Sequence, residues 1–163
     1  MTRPPQHLDY GLLNGLGGHL FRHAFLRGQQ VFSEVFADQA ITPLQFMTLE
    51  LVMLNPGVTH KDICAAMASA PSVMTTSLKP LIRDGVLLRE RKSGDGRSIG
   101  YRLSAKGETW FKTIRPQIDL AEDKLFAGLN AAQRRALLEA VRQLTERDAL
   151  SGLPETEGRR ARR

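Results

Sequence analysis

The sequence of 163 residues predicts a mainly α-helical fold with one small β-hairpin. Three observations predict it. Apolar residues recur at helical spacing along most of the chain. Hydroxyl and proline caps punctuate those stretches. Only two short runs alternate as strands do, with a basic, Gly-rich loop between them. At 42% apolar residues the chain has the means to bury the core of one domain.

From about residue 8 to 37 the first helix carries two stripes. One is Leu13, Leu16, Leu20, Ala24, Val31 and Val35, and the other is Phe21, Phe25, Phe32 and Phe36. Two stripes imply contact on two sides, such as a domain core and a partner chain. Gly11, Gly15, Gly17 and Gly18 weaken its first turns. The second helix opens with Thr42 as cap, Pro43 at the first position and Gln45 at the third, a capping box. It is apolar almost all round, hence buried, and Asn55-Pro56-Gly57 ends it. A weaker box, Thr59 with Asp62, starts a short helix carrying Ile63, Cys64, Ala66 and Met67.

After a turn at Ala68-Ser69-Ala70, PSVMTTSLKPLIRDG forms a helix that opens on Pro71 and closes on Gly85. Small hydroxyl residues line its first half. Pro80 removes the bond to the carbonyl of Thr76 and predicts a bend. VLLRE and IGYRL then read as strands flanking the loop RKSGDGRS. Ser104 caps a long helix with Trp110, Ile114, Ile118, Ala121 and Leu125, which Pro116 is predicted to kink. Asn130, with Gln133 three residues on, caps a last helix bearing Leu137, Leu138, Val141 and Leu144. The remainder reads as a frayed tail ending in GRRARR.

The net charge of +6 is concentrated. Residues 1–78 sum to −1, residues 79–106 to +5, residues 107–158 to −2, and the last five residues add +4. Such a localised patch is the footprint of a polyanion binder. Cys64 is the single cysteine, which excludes an intrachain disulfide framework and any Cys-built metal site. No apolar run approaches the ~20 residues that span a bilayer. No basic-then-apolar signal opens the chain, so the expected location is cytoplasmic. An enzyme is not expected: no nucleophile with a base, paired-carboxylate site, phosphate loop or metal set emerges. No cofactor is implied.

A short helix, a tight turn, a second helix with a small polar face and then a basic hairpin is a winged helix-turn-helix. Ser72, Thr75 and Thr76 lie near a helix N-terminus, which favours phosphate. Val73, Met74 and the threonine methyls suit thymine methyls in the major groove. Lys79, Arg91 and Lys92 add positive charge, and Arg97 near the hairpin tip suits the minor groove. Asp95, two residues earlier, is placed to orient that arginine.

Over roughly residues 8–148 the chain resembles the MarR family of winged-helix transcription regulators. The resemblance lies in ITPLQFMTL, THKDICAAM, the run from Pro71 to Gly107, and GLNAAQRRALLEAVRQL. Asp95-Gly96-Arg97 and Leu103-Ser104-Ala105-Lys106-Gly107 match in order and spacing. The resemblance implies a homodimer, with residues 8–37 and 105–148 as the dimerisation region. Residues 38–104 would be the DNA-binding region and 149–163 a basic tail. It further implies a pseudo-palindromic operator in double-stranded DNA. An aromatic or phenolic acid, or its CoA thioester, would release the protein from it. Family recognition helices often carry arginine where this chain has Thr76 and Pro80, so the operator does not carry over. The effector-free alternative is a DNA-organising winged helix.

His19 and His23, at i and i+4, could share a metal but lack a third ligand in sequence. By the resemblance they could instead line an effector pocket, or be ordinary histidines. Phe46, Met47, Trp110 and Arg115 are the other pocket candidates, with plain core as the alternative for the apolar ones. Arg115 could pair with a carboxylate or a thioester phosphate, or be an ordinary surface arginine. Cys64 reads as a buried structural thiol.

Overall fold

A computed structural model describes residues 7–91 and 99–150, the side chains of 146–150 excepted. Seven α-helices are described: α1 (Gly17–Val35), α2 (Pro43–Leu54), α3 (His60–Ala66), α4 (Pro71–Arg83), α5 (Ala105–Ile114), α6 (Gln117–Leu125) and α7 (Ala131–Leu150). Three strands, β1 (Val58–Thr59), β2 (Leu87–Arg91) and β3 (Ile99–Leu103), form an antiparallel sheet in the order β1-β3-β2. The chain divides into two compact units, Met1–Leu125 and Phe126–Arg163.

The Gly-rich start alters the first element. A 3-10 turn at Gly11–Asn14 precedes α1, with Gly11 at φ +50°, and a second at Ala37–Gln39 follows it. The expected single helix from 8 to 37 is therefore shorter, because glycine gives the backbone no preference for α. The capping box of α2 forms as its spacing predicts: Gln45 N–H donates to Thr42 Oγ1 at 3.2 Å, and Thr42 N–H to Gln45 Oε1 at 2.9 Å. Pro116 does more than kink its helix. α5 ends at Ile114 and α6 begins at Gln117, since proline offers no N–H and crowds the preceding turn. Pro80, by contrast, does not break α4, which runs through it to Arg83. Strand β1 is too short to be legible in sequence.

Phe46 of α2 is the hub of the first unit's core. Its ring meets Phe32 at 5.7 Å and Phe36 at 5.2 Å, both in the α1 segment, and Phe111 of α5 at 5.1 Å. Leu49, Val52, Ile63, Met74, Leu78 and Leu87 fill the space between helices and sheet. Of the phenylalanine stripe on α1, Phe32 and Phe36 are buried while Phe21 and Phe25 are exposed.

Two glycines are required by close approach. A Cβ at Gly100 would lie 2.7 Å from the Gly57 carbonyl oxygen, because β1 and β3 touch there. A Cβ at Gly107 would lie 2.1 Å from the carbonyl oxygen of Val86. That oxygen accepts the N–H of Ser104 at 3.0 Å, and Ser104 Oγ caps α5 by accepting the Gly107 N–H at 2.9 Å. The Ser104-to-Gly107 spacing is thus a cap and a contact in one turn.

Candidate nucleic-acid interface and effector cleft

The turn between α3 and α4 is made at Ala68, in the left-handed region at φ +45°. Ser69 N–H donates to Cys64 O at 3.0 Å and closes it. Helix α4 then separates its residues cleanly. Met74, Leu78 and Leu81, spaced i, i+4 and i+7, are buried. Ser72, Val73, Thr75, Thr76 and Lys79 are exposed on the other side. Val73 is 53% exposed, an apolar side chain the core does not use.

The two threonines carry a correction to their expected chemistry. Thr75 Oγ1 donates to Pro71 O at 2.8 Å and Thr76 Oγ1 to Ser72 O at 3.0 Å. Their protons are spent inside the helix, so they present lone pairs and methyl groups outward. They suit base donors and thymine methyls better than phosphate.

His60, passed over in the sequence, ties α3 to α4. Its Nε2 lies 3.2 Å from Thr75 Oγ1 and its Nδ1 3.5 Å from Cys64 Sγ. Because Thr75 already donates to Pro71, the arrangement calls for Nε2–H donating and Nδ1 accepting from the thiol. Cys64 is buried, as its sequence context predicts. Nothing in the sequence but the i, i+4 spacing of His60 and Cys64 hints at this link.

Not all of the basic segment faces outward unattached. Arg83 donates to Asp84 through Nε at 2.7 Å and Nη2 at 3.2 Å, and its guanidinium pKa is held above the usual value by that hydrogen bond first. Arg102 donates to Glu90, and Lys106 Nζ to the carbonyl of Asp84 at 3.1 Å. Lys79 and Arg91 are exposed, and the Arg89 guanidinium stands 5.9 Å from the Tyr101 ring centroid. Lys92, Asp95 and Arg97 lie outside the described residues, as does the arginine tail.

A cleft of about 420 Å³ opens between α1, α2 and α6. Phe46 and Met47 line it, together with Phe25, Phe32, Ile118 and Leu125. The other four pocket candidates are elsewhere. His19 and His23 stack edge-on at 4.5 Å on the first half of α1, with Tyr10 beyond at 6.3 Å. Trp110 packs half-buried on the core. Arg115 is taken by a carboxylate of its own chain: Nε and Nη2 meet the two oxygens of Glu50 at 2.6 and 2.7 Å.

That fork joins α5 to α2 and draws the Glu50 carboxyl below its ordinary pKa of 4.5, chiefly through the Arg115 hydrogen bond, with burial opposing. A lowered carboxyl pKa stabilises the fold above the ordinary value, and the stabilisation is lost as pH falls through the lowered one. The side chains are 27% and 50% exposed, so the effect is small. Glu50→Gln is expected to lower the melting temperature by about 2 °C at pH 7. The difference should vanish in thermal unfolding well below pH 4.

Among the described residues no helix is long and apolar enough to cross a membrane, and no group of three or more His, Cys, Asp or Glu could hold a metal.

The same arrangement recurs in solved DNA-bound structures. The transcriptional repressor CouR, bound to a 23-mer DNA duplex, superposes with a TM-score of 0.79 at 28% identity, covering 85% of this chain and 98% of that one. This chain has the winged-helix fold of the MarR-family regulators. Apo MarR from E. coli has the same fold, with a TM-score of 0.68 at 17% identity over 79% of this chain and 96% of that one. Among curated proteins, the HTH-type transcriptional repressor Mb2911 of Mycobacterium bovis is 25% identical over 129 residues, 79% of this chain and 92% of its own. No protein-family profile matches the chain. The relatives of this chain are transcriptional regulators rather than enzymes.

Proposed function

We propose that the protein is a dimeric, sequence-specific DNA-binding repressor released from its operator by a small aromatic ligand. The observation that carries this reading is α4. Its apolar residues anchor the helix in the core, and the opposite face offers Val73, two threonine methyls and hydroxyl oxygens to a groove. Thr75 of this face also meets His60 of α3, while Val73 is left unused by the core. The N–H groups of Ser72 and Val73, in the first turn of α4, face a backbone phosphate. Lys79 and Arg91 add charge, and Arg97 of the wing enters the minor groove with Asp95 orienting it.

Dimerisation is supported by apolar side chains the chain leaves uncovered. Leu12 is 77% exposed, and Leu16, Leu20 and Phe21 follow it toward α1 and along it. Leu137 and Leu144 are exposed on α7. Large apolar side chains left exposed on each of these helices are the kind of surface a partner chain covers.

The ligand reading rests on the cleft and its route to α4. Pro43, Phe46 and Met47 of the first turns of α2 line it. Gln45, in the same turn and buried, donates from Nε2 to Ser77 O of α4 at 2.8 Å. A ligand that moves the start of α2 therefore moves a hydrogen-bond partner of the reading helix. CouR has been solved with p-coumaroyl-CoA bound, at 26% identity to this chain.

In an electrophoretic mobility assay, Arg97→Ala should weaken operator binding by about tenfold, the loss of one charged groove contact. Sedimentation should show the dimer unchanged. Equal affinity would remove the wing from the interface.

A further inference from the structure

Thr75 is tied to α3 by a chain of hydrogen bonds whose direction is fixed at one end. A carbonyl can only accept, so the 2.8 Å contact of Thr75 Oγ1 with Pro71 O uses the hydroxyl's one proton. His60 Nε2, 3.2 Å from the same hydroxyl oxygen, is then the protonated ring nitrogen. A neutral imidazole carries one proton, which leaves Nδ1 to accept from the Cys64 thiol at 3.5 Å. Each proton runs the same way: thiol to imidazole, imidazole to hydroxyl, hydroxyl to carbonyl. The Tyr101 ring of β3, 6.2 Å from the His60 ring, flanks the imidazole on a further side.

This accounting leaves Thr75 Oγ1 with one lone pair and no proton for an outside partner. Thr75 is exposed in the first half of α4, the half of a recognition helix that reaches base edges. It also borders a groove of about 750 Å³ between α3, α4 and the sheet. Three cations, Lys61, Lys79 and Arg89, line that groove against one carboxylate, Asp62. The excess of positive charge draws a DNA strand alongside Thr75.

A group that can only accept is repelled by phosphate oxygens, by O6 and N7 of guanine and by O4 of thymine. It pairs with the exocyclic amino group that adenine or cytosine presents in the major groove. We propose that Thr75 is a specificity-determining residue that selects an amino base, adenine or cytosine, on the strand it faces. His60 is the positioning residue that keeps its hydroxyl in the accepting state. The proposal deepens the reading of α4 as the helix that enters the major groove, on which it rests.

The test is selection of bound duplexes from a random DNA library by the full chain, followed by sequencing. One position of each half-site should prefer adenine or cytosine over guanine or thymine by at least ~5-fold, the worth of one hydrogen bond. Thr75→Val keeps the shape of the side chain without its oxygen, so that position alone should become indifferent. His60→Ala should cut the preference there to under ~2-fold while the rest of the motif persists. His60→Gln, whose amide can donate in place of the imidazole, should retain it. A keto base at the position that Thr75→Val alters, or no position altered by it, overturns the proposal. So does a preference unchanged in His60→Ala or lost equally in His60→Gln. Each of these results leaves operator binding standing. Enrichment of no motif by the wild type would overturn the repressor reading and the proposal with it.

Discussion

Gly107→Ala is expected to destabilise the protein by about 3–5 kcal/mol, the range of severe overpacking at a fixed site. The added methyl would fall 2.1 Å from the Val86 carbonyl oxygen, well inside contact distance. Relief by moving α5 breaks the Ser104 N–H to Val86 O bond and loosens the cap that Ser104 Oγ makes. Moving Val86 instead disturbs Leu87, which is fully buried beside it. Neither route is cheap. For a chain of this size the melting temperature should drop by about 10 °C, read by circular dichroism. A loss under 2 °C would show that the junction of hairpin and α5 is soft.

Val73→Glu should leave the fold intact and remove operator binding. The side chain is half exposed and opposite the buried Met74-Leu78-Leu81 face, so little packing is lost and glutamate suits a helix. Placed against a duplex, the new carboxylate meets a dense row of phosphates and gives up a thymine-methyl contact. The expected loss is about 100-fold or more in operator affinity, with a melting temperature within about 1 °C of the wild type. Retained affinity with the normal fold would mean that this face of α4 does not enter the groove.

These two sites differ in how legible they were. Helix α4 could be read because its determinants are local: a proline at the first position, apolar residues at helical spacing, and hydroxyls on the other side. Ser104 was legible as a cap, and Gly107 was visible as a spacing. The reason for the glycine was not, because it is a contact with Val86, twenty-one positions earlier. The same limit explains the pocket residues. Phe46 and Met47 line the cleft, but His19, His23, Trp110 and Arg115 do not, since helical spacing does not say which of two faces meets a third helix. For Arg115 the sequence left open a carboxylate, a thioester phosphate or a plain surface position. That it meets Glu50, 65 residues away, only the fold reveals.

Two further corrections share a cause. The threonine hydroxyls of α4 looked available because sequence lists donors without saying where protons go. In the helix each returns its proton to the carbonyl four residues back. Gln45 was read as half of a capping box. Its amide has a second end, and that end reaches Ser77 on α4. A residue serving two elements leaves a one-element signal in sequence.

The central claim is that two copies of α4 read one DNA site. Hydroxyl-radical footprinting on DNA from around the protein's own gene tests it most directly. The account predicts two protected segments related by a two-fold axis, about one helical turn apart from centre to centre. Val73→Glu should leave both unprotected. Uniform protection along every fragment, with no bounded site and no effect of Val73→Glu, would contradict it.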